Sequence, residues 1–267
     1  MHDVMSITKA ALGLVYTHEG VDTTLPLWPG WKDSDLRLED ALHHRAGMHD
    51  EGGKFDYWGF RRALRGDVTQ YAVAKLERVK GSRGEFGYSN LAWQLLAFRF
   101  EEVTGISPTV ALERLLGNTG WTWEKDETGT CLGPHGLLMT PQAARKLGEA
   151  AMWYYTAGDF KVLTPRWFWK DESLPENRYV HNGWFAYKSP SLEGFATNFF
   201  RYARNGSLLT QETSFVMYAS GFLNQYIVVA GQKVYVQLRG ARRQQFDRQS
   251  ITAREDRFLQ GVIDHSI

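Results

Sequence analysis

The chain has 267 residues, of which 43% are apolar and 23% charged, and this composition indicates a globular protein with a large core rather than a disordered or fibrous one. Its 31 basic and 30 acidic side chains leave a formal charge of +1, which excludes a net field that would attract nucleic acid or an anionic membrane. A single cysteine, Cys131, excludes an internal disulfide and a thiolate zinc cluster.

The sequence contains neither a membrane span nor a secretory signal. No apolar run approaches the roughly 18 residues that a membrane-spanning helix needs, and the first five residues lack the pattern of a signal peptide. Either the chain is therefore cytoplasmic or its natural N-terminus lies upstream.

The N-terminal two-thirds of the chain are predicted to be mainly helical. Apolar residues at helical spacing predict a helix that begins near Ser6 and stops at Gly20, and another that begins at Asp35 and continues towards Gly47. The same pattern predicts further helices around residues 58–64, 68–79, 91–103, 108–116 and 141–155. A turn-rich segment before Tyr88 places this residue at a corner between a loop and a helix.

Beyond residue 178 the apolar pattern changes to that of strands. Residues 226–230 and 233–238 are rich in β-branched side chains and predict a hairpin, and residues 184–187 predict another strand. Residues 250–263 form an amphipathic pattern that predicts a C-terminal helix.

Ser6 and Lys9 lie three residues apart at the start of the first predicted helix, so their hydroxyl and amine share one face. A serine becomes a nucleophile when a base takes its proton, and a neutral lysine can be that base. The N-terminus of the helix adds a backbone N–H that can face an oxyanion. Taken alone, the same pair also fits an N-cap serine followed by a solvated lysine.

Two later segments carry groups that suit the same chemistry. Tyr88 and Asn90 offer a phenol for proton transfer and a carboxamide for a substrate amide, although a tyrosine in this position can equally be a packed aromatic. The small-residue segment 218–222 precedes the predicted hairpin and could present a backbone N–H to an acyl oxygen, or it could be a simple glycine turn.

In this order and spacing, the three segments resemble the motifs of the serine β-lactamase and penicillin-binding superfamily. The Tyr-x-Asn form of the second motif points to the class C branch, which includes β-lactamases, D,D-peptidases, esterases and 6-aminohexanoate-dimer hydrolases. The similarity extends over nearly the whole chain, through residues 3–9, 36–48, 88–105 and 136–140.

The resemblance implies an α/β fold of the α+β type, in which helices flank an antiparallel sheet and a mainly helical region adjoins it. Residues 1–20 would form the nucleophile helix of the α/β region, 21–160 the helical region, and 161–267 the sheet and C-terminal helix. Class C relatives also have an N-terminal helix and strands before the nucleophile. We therefore expect these strands to be absent here, and an exposed sheet edge at residues 226–238 to favour self-association.

The resemblance implies a serine hydrolase that cleaves a small ester or amide through an acyl-enzyme and needs no cofactor. Ser6 would attack, and Lys9 and Tyr88 would share proton transfer, with the choice of base between them left open. Asn90 would orient the substrate, and the N–H groups of Ser6 and Phe222 would form the oxyanion hole.

The third motif departs from the lactamase pattern. Ser220 and Gly221 match it, but Ala219 stands where the lactamases have a lysine, so no cation is expected there to hold a substrate carboxylate. This departure keeps open a second interpretation, a catalytically silent protein that retains the scaffold for binding. His43 and His44 are interpreted as hydrogen-bonded scaffold rather than metal ligands.

Overall fold

The structure is a computed structural model, and it describes residues 1–31, 35–48, 66–76, 83, 87–155, 178–181, 184–188, 215–221, 225–230, 233–238 and 261. The predicted helix at residues 58–64 lies outside the described residues. So does the predicted helix at residues 250–263, apart from Gly261, which is helical.

Helices occupy most of the described chain before residue 156. They are α1 (Ile7–His18), α2 (Leu38–Leu42), α3 (Val68–Leu76), α4 (Asn90–Thr104), α5 (Pro108–Leu116) and α6 (Pro141–Tyr155). A side-chain cap marks the start of α5, where Ser107 accepts a hydrogen bond from the Val110 N–H. The sequence predicted each of these helices, and the observed ends of all but α2 agree within a few residues.

The start of α2 corrects one prediction. The expected helix from Asp35 is wrong for its first residues, because Leu36 and Leu38 pair with the chain at 25–27 through hydrogen bonds from Leu27 N–H to Leu36 O (2.9 Å) and from Leu38 N–H to Leu25 O (3.0 Å). Asp40 then accepts a hydrogen bond from the N–H of the N-cap residue Arg37 at 2.9 Å, and the helix begins at Leu38, three residues after the predicted start.

The strands form two antiparallel sheets. A small sheet has the order β1-β3-β2, with β1 (His2–Asp3), β2 (Trp121–Trp123) and β3 (Leu137–Met139), and a larger sheet has the order β4-β5-β6-β7-β8. The larger sheet consists of β4 (Arg178–His181), β5 (Trp184–Lys188), β6 (Phe215–Gly221), β7 (Gln225–Ala230) and β8 (Lys233–Gln237). The predicted hairpin is β7–β8 and the predicted single strand is β5, whereas β4, β6 and the short strands β1–β3 were not predicted.

Helix α1 lies at the centre of the core and contacts α4, α5, α6 and strands β5–β7. Its side chains from Ile7 to Tyr16 are all buried, so it has no solvated face. Helix α6 packs on β8 so closely that a Cβ at Gly148 would lie 2.4 Å from a methyl group of Val234. Helices flanking an antiparallel sheet confirm the predicted fold class, and the three-part division of the chain stays a prediction.

Candidate active site

Ser6 follows a tight turn between β1 and α1. The Val4 N–H donates to Leu137 O of β3 at 3.0 Å, which anchors the turn to the small sheet. Met5 has a φ of 52°, a left-handed conformation that is unfavourable for a non-glycine residue, and its N–H donates to the Asp3 carboxylate at 2.9 Å. This turn directs the chain into the helix with Ser6 at its first turn.

The hydroxyl of Ser6 does not cap the helix. Its Oγ makes no capping hydrogen bond and instead lies 3.1 Å from Lys9 Nζ and 2.9 Å from Tyr88 OH. The alternative of an N-cap serine beside a solvated lysine therefore does not describe this geometry, because the Lys9 side chain is only 1% exposed. Two groups able to transfer protons thus meet at one hydroxyl oxygen.

Lys9 Nζ lies among three neutral acceptors. Besides Ser6 Oγ, these are Asn90 Oδ1 at 2.7 Å and the Pro134 carbonyl oxygen at 3.0 Å. An ammonium would donate one hydrogen to each of the three. A neutral amine would donate to Asn90 and Pro134 and accept the Ser6 hydroxyl proton with its lone pair, so the geometry suits both proton states of the lysine.

The start of α4 explains how Tyr88 and Asn90 reach the same point. Ser89 between them is the N-cap, and its Oγ accepts a hydrogen bond from the Ala92 N–H at 3.1 Å. The side chain of Ser89 is therefore occupied by the helix, and its two neighbours contact Ser6 and Lys9. The structure brings together Ser6, Lys9, Tyr88 and Asn90 from two segments about eighty residues apart.

The carbonyl of Pro134 is a site contact that sequence reasoning missed, because a backbone oxygen carries no residue-type signal. Gln94 of α4 holds its loop from both sides, accepting from the Gly133 N–H at 3.0 Å and donating to Cys131 O at 3.2 Å. Gly133 also lies so near α4 that a Cβ there would be 1.9 Å from Trp93 O. Gln94 is fully buried in the structure, but neither its residue type nor its spacing in the sequence signals this contact.

The third predicted segment is the end of β6. Gly221 is buried beside the Val4 backbone, Ser220 is partly exposed and pairs with Tyr226, and Phe222 lies outside the described residues. Ala219 is completely buried in the hydrophobic core. Its small apolar side chain offers no charge at this position of the strand.

Of two adjacent histidines, His44 is buried and stacks on Tyr88, and His43 is partly exposed. Burial, together with the charge of Arg45, lowers the pKa of His43 to about 4. Burial, together with the charges of Lys9 and His43, lowers the pKa of His44 to about 3. Both rings are therefore neutral at ordinary pH. Within the described part of the chain, no three His, Cys, Asp or Glu side chains are grouped to hold a metal ion.

No helix among the described residues has both the length and the apolar character that crossing a membrane requires.

No family model matches the chain, and no curated protein matches it. Solved structures match over most of its length. A protein assigned as a 6-aminohexanoate-dimer hydrolase from Bacillus anthracis is 12% identical, with a TM-score of 0.59 over 98% of this chain and 72% of that one. A class C β-lactamase from Rhodobacter sphaeroides is 15% identical, with a TM-score of 0.59 over 98% and 84%.

A D-stereospecific amidohydrolase from Streptomyces sp. is also 15% identical, with a TM-score of 0.57 over 86% of this chain and 78% of that one. At identities this low, the structural match shows a common fold. The similar structures are those of hydrolases related to the β-lactamases, which is the group that the sequence motifs resemble. The chain therefore has a β-lactamase/transpeptidase-like fold, the fold of these solved hydrolase structures.

Proposed function

We propose that the protein is a serine hydrolase that cleaves an ester or amide through an acyl-enzyme on Ser6. The observation that carries the proposal is the convergence on Ser6 Oγ of Lys9 Nζ at 3.1 Å and Tyr88 OH at 2.9 Å. A hydroxyl needs a base to become a nucleophile, and the leaving group needs an acid. One residue of this pair can serve as the base and the other as the acid.

In the acylation step, Ser6 Oγ attacks the carbonyl carbon while its proton passes to Lys9 or Tyr88. The bond from that carbon to the leaving oxygen or nitrogen then breaks, and the leaving group takes a proton from the pair. Water repeats the sequence on the acyl-enzyme, so that an acid is released and Ser6 regains its proton. Because the two groups contact the same oxygen, a proton can move between them through the Ser6 hydroxyl before acylation and after the acid has been released.

Asn90 would serve both lysine and substrate. Its Oδ1 accepts from Lys9 Nζ at 2.7 Å, which holds the amine against Ser6, and the amide nitrogen of its side chain is the group that would orient a substrate. The N–H groups of Ser6 and Phe222 would stabilise the oxyanion, as the family resemblance implies. Ser220 and Gly221 would form the strand edge beside the acyl group.

The substrate would be a neutral acyl ester or amide. A carboxylate-bearing substrate such as a β-lactam gains roughly 1.5–3 kcal/mol from a charge-assisted hydrogen bond to a cation, and the buried Ala219 provides none on β6.

Intact mass after incubation with a fluorophosphonate tests the proposal. The chain should gain one phosphonyl group, and Ser6→Ala should gain none. Ser107→Ala is the matched control, since Ser107 also lies at a helix start but caps it, and this variant should react like the unaltered chain. Labelling that persists in Ser6→Ala would refute the assignment of Ser6 as the nucleophile. A folded chain that never reacts would indicate the catalytically silent binding protein instead.

A further inference from the structure

We propose that His44 is a positioning residue, whose flat ring holds the Tyr88 phenol in the orientation that places its hydroxyl on Ser6. The inference rests on the proposed function for its catalytic consequence. Its structural part, the dependence of the Tyr88–Ser6 hydrogen bond on the His44 ring, can be tested separately.

Two contacts join His44 to the segment that carries Tyr88. The His44 carbonyl accepts a hydrogen bond from the Gly87 N–H at 2.8 Å. The imidazole stacks on the Tyr88 ring with centroids 4.7 Å apart and planes only 18° from parallel. The first contact places the backbone next to Tyr88, and the second restrains the rotation of its ring, so together they direct the hydroxyl.

The segment carrying Tyr88 approaches the backbone around Met48 very closely. A Cβ at Gly87 would lie 2.5 Å from Met48 O. The Tyr88 side chain itself is only partly buried, so packing does not enclose it on all sides. A ring of this kind can turn unless one face is held, and the imidazole of His44 holds one.

His44 can fill this role beside a lysine because its ring carries no charge. Burial and the nearby Lys9 lower its pKa to about 3, so the imidazole stays neutral over the pH range in which an esterase would be assayed. His44 is 2% exposed, and Trp93 is another aromatic neighbour, at 5.6 Å between centroids. A neutral ring adds no repulsion to the Lys9 side chain.

The backbone at His44 dictates how the variants must be matched. Its φ of 55° is left-handed, a conformation that costs energy for most side chains and less for asparagine. His44→Phe and His44→Leu therefore carry the same backbone penalty and differ in whether a flat ring is present. His44→Asn reduces the energetic penalty of the left-handed backbone but removes the ring, so it serves as the second ringless variant.

The measurement is the ¹³Cζ chemical shift of Tyr88, assigned with Tyr88→Phe, together with kcat and KM for a p-nitrophenyl ester. Ser6→Ala supplies the reference shift of a Tyr88 hydroxyl that has lost its acceptor. We expect His44→Phe to keep the original shift and a kcat within about threefold. His44→Leu and His44→Asn should move the shift towards the Ser6→Ala value and lower kcat at least tenfold, with KM nearly unchanged.

Circular dichroism identifies the folded variants, and either ringless variant alone suffices for the comparison. Equal losses in His44→Phe and His44→Leu would overturn the proposal, as would an unchanged Tyr88 shift in both ringless variants. If the unaltered chain shows no esterase activity, the proposed function fails, but the shifts still decide whether the His44 ring orients Tyr88.

Discussion

Gly221, the last residue of β6, lies directly against the carbonyl of Val4. A Cβ built on Gly221 would be 2.3 Å from Val4 O, closer than any real contact of this kind. Val4 is two residues before Ser6, and its carbonyl accepts the Ile7 N–H that starts α1. The position of the strand and that of the nucleophile turn are therefore coupled through this one contact.

Gly221→Ala should displace both the end of β6 and the turn that precedes Ser6. The added methyl group forces the strand and the turn apart, which we expect to cost about 1–3 kcal/mol of unfolding free energy and to slow phosphonylation of Ser6 at least tenfold. Gly261→Ala is the control, because a Cβ at this helical glycine meets no atom of the described residues within 4 Å. Urea unfolding and labelling rates would reveal the effect, and equal behaviour of the two variants would show that the approach of β6 to Val4 has no bearing on Ser6.

The sequence predicted the helices and the β7–β8 hairpin well, because their apolar spacing is regular and local. It did not predict β6, where Tyr218, Ala219 and Gly221 are all buried and no alternation marks a face. Strands β1–β3 have only two or three residues each, too few to show a period. These strands depend on pairing between distant segments.

The candidate site likewise has features that the sequence predicts and features that depend on distant segments. The residues Ser6, Lys9, Tyr88 and Asn90 could be selected from their types and spacing together with a family resemblance. Their second contacts could not, since the Pro134 carbonyl reaches Lys9 from 125 residues away. A helix that looks amphipathic at Leu91 and Leu95 gives no sign that Gln94 holds that distant loop.

Gln94→Leu tests the loop that carries Pro134. The variant keeps the volume of the side chain but loses both hydrogen bonds to the buried loop, which should cost about 1–3 kcal/mol. Because the Pro134 carbonyl would then no longer be held on Lys9 Nζ, we expect roughly tenfold slower reaction of Ser6. Gln70→Leu, on the exposed face of α3, is the control; denaturant melts that leave Gln94→Leu as stable as Gln70→Leu would contradict this role.

Stability should fall below neutral pH because of two histidines, the buried His44 and the partly exposed His43. Their folded pKa values of about 4 and 3 lie under the ordinary 6.5, so the unfolded chain takes up protons first as the pH falls. The stability is fully present above about pH 6.5 and is lost progressively below it, by about 2 kcal/mol per histidine by about pH 5. His44→Phe should remove about half of this pH dependence in thermal melts. An unchanged dependence of stability on pH would indicate that other titratable groups cause it.

Neutral substrates should react faster than anionic ones, because Ala219 provides no cation for a substrate carboxylate. A neutral ester such as p-nitrophenyl butyrate should have a kcat/KM at least about tenfold above that of the p-nitrophenyl monoester of succinate, which carries a carboxylate on the acyl chain. Nitrocefin, a carboxylate-bearing β-lactam, should also react more slowly than the neutral ester. Faster turnover of either anionic substrate would mean that a cation elsewhere takes the place of the missing lysine.

The acyl-enzyme itself is the most direct measure of the mechanism. Rapid quenching during turnover of a p-nitrophenyl ester, followed by tryptic peptide mass analysis, should find the acyl group on the peptide that ends at Lys9, and fragmentation should locate it on Ser6. Lys9→Met and Tyr88→Phe should each slow its formation at least about 100-fold, and Ser6→Ala should show none. An acyl group on another residue, or acylation of Ser6→Ala at the original rate, would contradict the account.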